Sequence, residues 1–314
     1  EIMAPGILAH HTGQIFSFDA LGASVLSHTG FGMPQIGYIT SGGPCIDGER
    51  LDGYRLLPRE MTVNFYYSNE SREDYYNYRR FILGALKPTD SLLPQGADPA
   101  LSAQELAIVR QLGYRTDQFG PGVIRVSMGN GEVYEIDAVP SDGLAFNAND
   151  TGSWDQSTAV ESASFIAHDP VWRRTGVNTL TTGSENFDNL INYEGTWDEY
   201  GILVTDPVPS GANITNFTLN INGNLINITS LSNFQTGDVL VLDTRPGRRN
   251  FFSVTPAGVV TNQLGGINLP ASNIDGCKLR PQDYGHRNIL RWASDSPAGF
   301  WAINYHYYNR FIGI

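Results

Sequence analysis

GDVLVLDTRPGRRNFFSV, residues 237–254, reads as one β-hairpin. The apolar run 239–242 lies between Gly237-Asp238 and the turn formers Arg245-Pro246-Gly247-Arg248-Arg249, and 251–254 returns from that turn. A short apolar run bounded by turn signals is a strand. Outward from this hairpin the pattern repeats. Phe217, Leu219 and Ile221 alternate before Asn222-Gly223, a turn pair suited to positive φ, and Ile226 and Ile228 follow. Trp301, Ile303, Tyr305 and Tyr307 share one face of a final strand. From about residue 192 the chain reads as almost purely β, which predicts a β-sandwich of jelly-roll type.

The first half is β-rich with helical interruptions. Residues 36–40 predict a strand broken by Ser41-Gly42-Gly43-Pro44, and Met61, Val63, Phe65 and Tyr67 alternate with polar or amphipathic neighbours. Ser71 with Asp74 is a weak capping box, and Tyr75, Tyr78, Ile82, Ala85 and Leu86 recur at helical spacing up to Pro88. Ser102 and Glu105 form a true Ser-x-x-Glu box, so a short helix is expected near 102–113, closed by Gly113. Residues 123–128 and 133–139 flank Gly129-Asn130-Gly131, a hairpin signal. Ala163, Phe165 and Ala167 predict a strand ending at Asp169-Pro170, and the polar stretch 175–190 is expected to be a linker.

Bulk properties bound the function. At 314 residues with 41% hydrophobic content the chain can bury a sizeable core and suits two domains. A net charge of −12 disfavours direct DNA binding, because phosphates repel it, yet suits a surface that DNA merely passes. No run approaches the roughly 18 apolar residues of a membrane span, and no basic-then-apolar signal peptide is seen. Cys45 and Cys277 lack any CxxC spacing, and read as two thiols or as one bridge. The Asn-x-Ser/Thr triplets at Asn69, Asn149, Asn213, Asn216 and Asn227 are chance matches in an Asn- and Thr-rich chain.

The sequence shows no convergent set of catalytic groups. The histidines are His10, His11, His28, His168, His286 and His306; in a strand the adjacent first pair would face opposite sides. HExxH, EF-hand, P-loop and GxSxG patterns are missing from the sequence. Glu194 and Glu199 flank Trp197, a combination found in sugar sites and in ordinary packed turns alike. Arg245, Arg248 and Arg249 cluster at a hairpin tip, either solvated or facing an acidic neighbouring subunit. No residue is assigned a catalytic, cofactor-binding or metal-binding role, no cofactor is expected, and the chain is read as no enzyme.

Several segments, in order, resemble the distal tail protein family of siphophages. They are YRLLPREMTVNFYY (54–67), YYNYRRFILGALK (75–87), the Gly129-Asn130-Gly131 hairpin, ASFIAHDPVW (163–172), NYEGTWDEYGILV (192–204) and the strand pair 217–244, with GDVLVLDT as its most specific element. The resemblance implies a mainly β protein. An N-terminal ring-forming (belt) domain, a β-sandwich or split barrel with a helix, would span 1–174 and carry the helical insertion near 102–113. After the linker 175–190, a galectin-like β-sandwich would span 191–314. It further implies a virion protein at the phage tail tip, six copies closing into a ring that joins tail tube to baseplate. Partners would be the tube protein, the tip hub and adhesion proteins, with DNA passing through the lumen unbound and no membrane involved. The alternative is a carbohydrate-binding adhesin acting through the C-terminal sandwich, with Trp197 or Trp292 as exposed platforms. A β-sandwich glycosidase would need a carboxylate pair at about 5 Å or roughly 6.5–9.5 Å.

Overall fold

The computed structural model describes residues 5–9, 15–17, 23–42, 49–68, 71, 73–74, 76–77, 80, 102–112, 122–142, 158–183, 185–211, 214–282, 287–295 and 301–314. The chain is mainly β. It divides into two compact units, Glu1–Leu93 with Asp117–Thr175 and Phe311–Ile314, and Pro94–Thr116 with Gly176–Arg310.

The first unit holds β1 (Pro5–Ala9), β2 (Ile15–Ser17), β3 (Ala23–Thr29), β4 (Ile36–Ser41), β5 (Arg50–Leu56), β6 (Arg59–Ser68), β7 (Gly122–Ser127), β8 (Val133–Pro140), β9 (Thr158–Ala167) and β10 (Trp172–Arg174). Its large sheet runs β2-β1-β7-β8-β9-β6-β3, with β10 paired to β8, while β4 and β5 form a separate ribbon. Period-two patterning sets the buried face. Met61 lies opposite Phe165 and Val63 opposite Ala163, and these side chains meet Ile124, Val126, Ile136 and Trp172 in one core. The Gly129-Asn130-Gly131 turn closes β7 onto β8, with Gly131 at φ 85 and its N–H donated to Met128 O at 3.0 Å.

Arg59 ties this core together. Only 2% exposed, it donates through Nε and Nη2 to Pro170 O at 2.8 and 2.6 Å. Nη1 donates to Gly30 O at 2.8 Å and to Gly32 O, and Nη2 also donates to Ile312 O at 2.8 Å. Gly30 cannot be replaced there, because its φ is +82 and a Cβ would stand 1.9 Å from Glu60 O.

The second unit holds α1 (Ala103–Gln111) and β11 (Asn178–Thr182), β12 (Asn189–Ile191), β13 (Ile202–Thr205), β14 (Phe217–Ile221), β15 (Asn224–Ile228), β16 (Val239–Asp243), β17 (Asn250–Val254), β18 (Val260–Asn262), β19 (Asn288–Ser294) and β20 (Ile303–Tyr307). Two sheets, β11-β20-β13-β16-β17-β18 and β12-β19-β14-β15, face each other. Leu203, Leu240, Phe251 and Tyr305 from one meet Phe217, Leu219, Leu290 and Trp292 from the other, which makes a β-sandwich. The opening hairpin is β16–β17, turning through Gly247 at φ 75, and Asn222-Gly223 turns β14 into β15 with both residues at positive φ.

Residues of β16 are buried on both faces, and α1 explains why. Leu240 and Leu242 face the sandwich core, while Val239 and Val241, with Phe252 and Val254 of β17, lie under Leu112, Ala107 and Ile108. An apolar run without alternation is what a strand covered on both sides requires. The capping box starts this helix: Glu105 N donates to Ser102 Oγ at 3.2 Å and Ser102 N to Glu105 Oε2 at 2.8 Å. Gln104 Nε2 then donates to Val254 O at 2.7 Å and Gly237 O at 3.1 Å.

Three expected boundaries differ. The helix near 102–113 sits between β6 and β7 in sequence but belongs to the second unit, because its apolar face covers β16 and β17. The linker expected over 175–190 contains β11, paired to β20 with Leu180 opposite Tyr305. Thr179 and Thr181 flank that single apolar residue, so the segment looked too polar for a strand. Residues 311–314 join the first unit, where Phe311 and Ile314 pack on its core and Ile312 O accepts from Arg59. The Ser71 cap forms, with Asp74 N donated to Ser71 Oγ at 3.1 Å, and Glu73, Asp74, Tyr76, Asn77 and Arg80 are helical. Tyr75, Tyr78, Ile82, Ala85, Leu86, Pro88 and Gly113 lie outside the described residues.

Candidate assembly surface

The β4–β5 ribbon carries the first unit's apolar surface. Antiparallel pairing sets Tyr38 opposite Tyr54, and a register shift after Ile39 brings Leu51 opposite Thr40. Tyr38, Ile39, Leu51 and Tyr54 are 66%, 52%, 59% and 58% exposed. Leu26 on β3 and Val160 on β9 are also exposed. Among the described residues the ribbon pairs with no other strand, and a two-stranded ribbon by itself is marginal in water, with edges that invite another chain. Large apolar side chains this exposed on both faces of one ribbon make it a candidate interaction surface.

The residues singled out in the sequence take structural roles. Glu199 is buried, its Oε2 3.5 Å from Arg310 Nε, and its backbone bridges to Leu279. Glu194 is exposed, and its backbone N–H donates to Asn309 Oδ1 at 3.1 Å. Trp197 is half-buried, its carbonyl accepting from Tyr193 Oη, and Trp292 lies wholly inside the sandwich against Phe217 and Trp301. Trp292 therefore offers no exposed platform: the β19 register turns it inward, opposite Leu219.

Arg245 grips Asp243, Nη2 to Oδ2 at 2.6 Å, and also donates to Leu112 O at 3.3 Å, holding the end of α1. Arg249 pairs with Asp275, and Arg248 stays exposed at the tip. Two of the three arginines are thus engaged within the chain. Cys277 is a buried free thiol whose Sγ donates to Asn224 O at 3.3 Å; burial pushes its pKa up to about 12. Cys45, His10, His11 and His286 lie outside the described residues. His28 stacks on Phe31, and His306 Nδ1 sits 2.9 Å from Thr179 Oγ1, with burial lowering its pKa. Among the described residues no three His, Cys, Asp or Glu side chains are grouped to hold a metal ion, and no helix is long and apolar enough to cross a membrane.

A β-rich unit with a separate, exposed apolar ribbon and a second unit built as a β-sandwich define a two-unit, mainly β class. This fold is shared with the SPP1 Dit (gp 19.1) protein, a paradigm of the hub adsorption apparatus in phages infecting Gram-positive bacteria. The likeness covers 99% of this chain and 100% of that one, at a TM-score of 0.57 and 10% identity. Chains of the phage P2 baseplate in its activated conformation, with Ca and with Sr, align over 98% of both partners at TM-scores of 0.46 and 0.48 and identities of 8% and 7%. No protein-family model and no curated protein sequence matches the chain.

Proposed function

We propose that this chain is a structural protein of a bacteriophage tail tip, six copies of which close into a ring between the tail tube and the baseplate. The observation that carries the reading is the β4–β5 ribbon, with its exposed Tyr38, Ile39, Leu51 and Tyr54. A second copy is the occupant that fits, because cyclic closure covers every ribbon at once and leaves no open end to grow a fibre. Fold likeness to the SPP1 hub protein supports it. The first unit makes the ring, the second unit faces outward to hold adhesion proteins, and DNA passes the acidic surface without being gripped.

Light scattering tests this directly. The wild-type chain should show six times the 34.4 kDa of one protomer and a central hole in negative-stain images. Ile39→Asp with Leu51→Asp should give a monomer of unchanged thermal stability, since both positions are exposed. A wild-type chain that stays monomeric at high concentration, or a double variant that still forms the ring, refutes the proposal. A glycan-binding second unit built on Trp292 has lost its platform, because that side chain is buried.

A further inference from the structure

The second unit carries a cleft of about 450 Å³ where the β14–β15 turn meets the start of β19. Three arginines, Arg280, Arg287 and Arg291, line it against a single aspartate, Asp188. Arg291 is already matched, its Nη2 2.6 Å from Asp188 Oδ1. Arg280 and Arg287 are exposed, and among the described residues neither has a carboxylate within salt-bridge distance. In a chain of net charge −12, two guanidinium groups that line one cleft and have no carboxylate partner among the described residues stand out against the overall field.

The cleft is built rather than incidental. Asn288 is buried and uses its whole amide on the backbone of Arg280: Oδ1 accepts from Arg280 N at 2.9 Å and Nδ2 donates to Arg280 O at 2.8 Å. Asn222, at φ 55, donates to Asn288 Oδ1 at 2.8 Å and to Lys278 O at 3.0 Å, and accepts from Ile289 N at 2.9 Å. These bonds fix where Arg280 leaves the sheet. Asn220 lies opposite Arg291 in register, and its Oδ1 accepts from Gly223 N at 2.9 Å. Ile289 adds apolar lining, and the neighbouring Leu190, paired to it, is 58% exposed.

We infer that this cleft binds an anionic saccharide, a sugar or polyol bearing a phosphate or carboxylate, with Arg280 and Arg287 holding the anion. Guanidinium groups bind such oxyanions with charge-assisted, often bidentate, hydrogen bonds. The apolar Ile289–Leu190 strip suits the C–H face of a ring, and the Asn220 amide suits a hydroxyl. The volume falls in the range of roughly 300–1,000 Å³ typical of small-molecule sites, whereas a docked protein would cover a flatter and wider area. The inference does not depend on ring formation, so the two can fail separately.

The test is titration of the full chain, followed through arginine Nε–Hε NMR signals. The probes are glucose 1-phosphate, glucuronate, glucose, inorganic phosphate and a Glu-rich peptide. Saturable shifts are expected with the first two, at least about tenfold tighter than with glucose, the worth of one charge-assisted hydrogen bond, and tighter than with inorganic phosphate, which lacks the ring and hydroxyl contacts. Arg280→Gln with Arg287→Gln should lose about tenfold or more while melting at the wild-type temperature. Should that double variant melt early, Asn220→Asp, which sets a negative charge at the rim, should weaken glucose 1-phosphate and glucuronate by a clearly larger factor than glucose, and equal weakening of all three counts against the inference. No saturation, equal binding of inorganic phosphate, or preference for the acidic peptide overturns the inference.

Discussion

Replacing Arg59 by methionine should unfold the first unit well before the second. The guanidinium serves four carbonyls, those of Gly30, Gly32, Pro170 and Ile312, from three stretches of chain far apart in sequence. It also stands 5.7 Å from the Trp172 ring, whose Nε1 donates to Phe31 O at 3.2 Å. Among the described residues no carboxylate pairs with it. Burial draws its pKa down to about 10, so it is charged throughout the neutral range. Methionine keeps the stem volume, so no large cavity opens. Each carbonyl left without a donor costs about 1 kcal/mol or more, and release of a buried charge returns part of the total. The net loss should be about 3 kcal/mol, which lowers the melting temperature of a domain this size by roughly 6–12 °C. Arg59→Lys should fall about halfway, since an ammonium has three donors and no planar fork. Differential scanning calorimetry of the whole chain reads both transitions. A methionine variant melting within about 2 °C of wild type refutes the assignment of Arg59 as the tie.

Other consequences follow from the second unit. Leu112→Ala should destabilise it by about 2 kcal/mol in urea unfolding, because the side chain packs with Val241 and Phe252 on the outer face of the larger sheet. Cys277 should resist a thiol reagent in the native chain and react fully in denaturant, because the thiol is buried and its thiolate is disfavoured. Asp295→Ala should destabilise the chain at neutral pH, with the difference from wild type vanishing in acid. Burial raises the Asp295 pKa, but hydrogen bonds from Thr215 and Asn216 outweigh it, and the folded value lies below the ordinary 3.8. A depressed carboxyl pKa contributes stability that is present above the unfolded pKa and lost as pH falls through the folded one. Unfolding curves at neutral pH and below about pH 3 test the sign.

The candidate assembly surface was only half legible in the sequence. Residues 36–40 read as a strand and are one, yet nothing in Tyr38 or Ile39 says that they face water. An apolar residue on a ribbon reads like one on a core strand, and only the neighbouring strands decide which it is. Trp292 is the opposite case: in sequence a large aromatic reads as a binding platform, and the register of β19 turns it inward.

Alternation, turn pairs and caps are local, so the order of residues is enough to read a β-rich chain, hairpin turns at Gly131, Asn222-Gly223 and Gly247, and a helix begun by a capping box at Ser102. These features depend on residues within a few positions of each other. Which unit receives that helix, where the last four residues dock, and the meeting of Arg280 and Arg287 in one cleft depend on the folded chain. The Arg245–Leu112 bond spans 133 positions and the Arg59–Ile312 bond 253. Such pairings are selected by burial and by the demand that every buried polar group find a partner, and both are properties of the folded chain rather than of any short stretch of it.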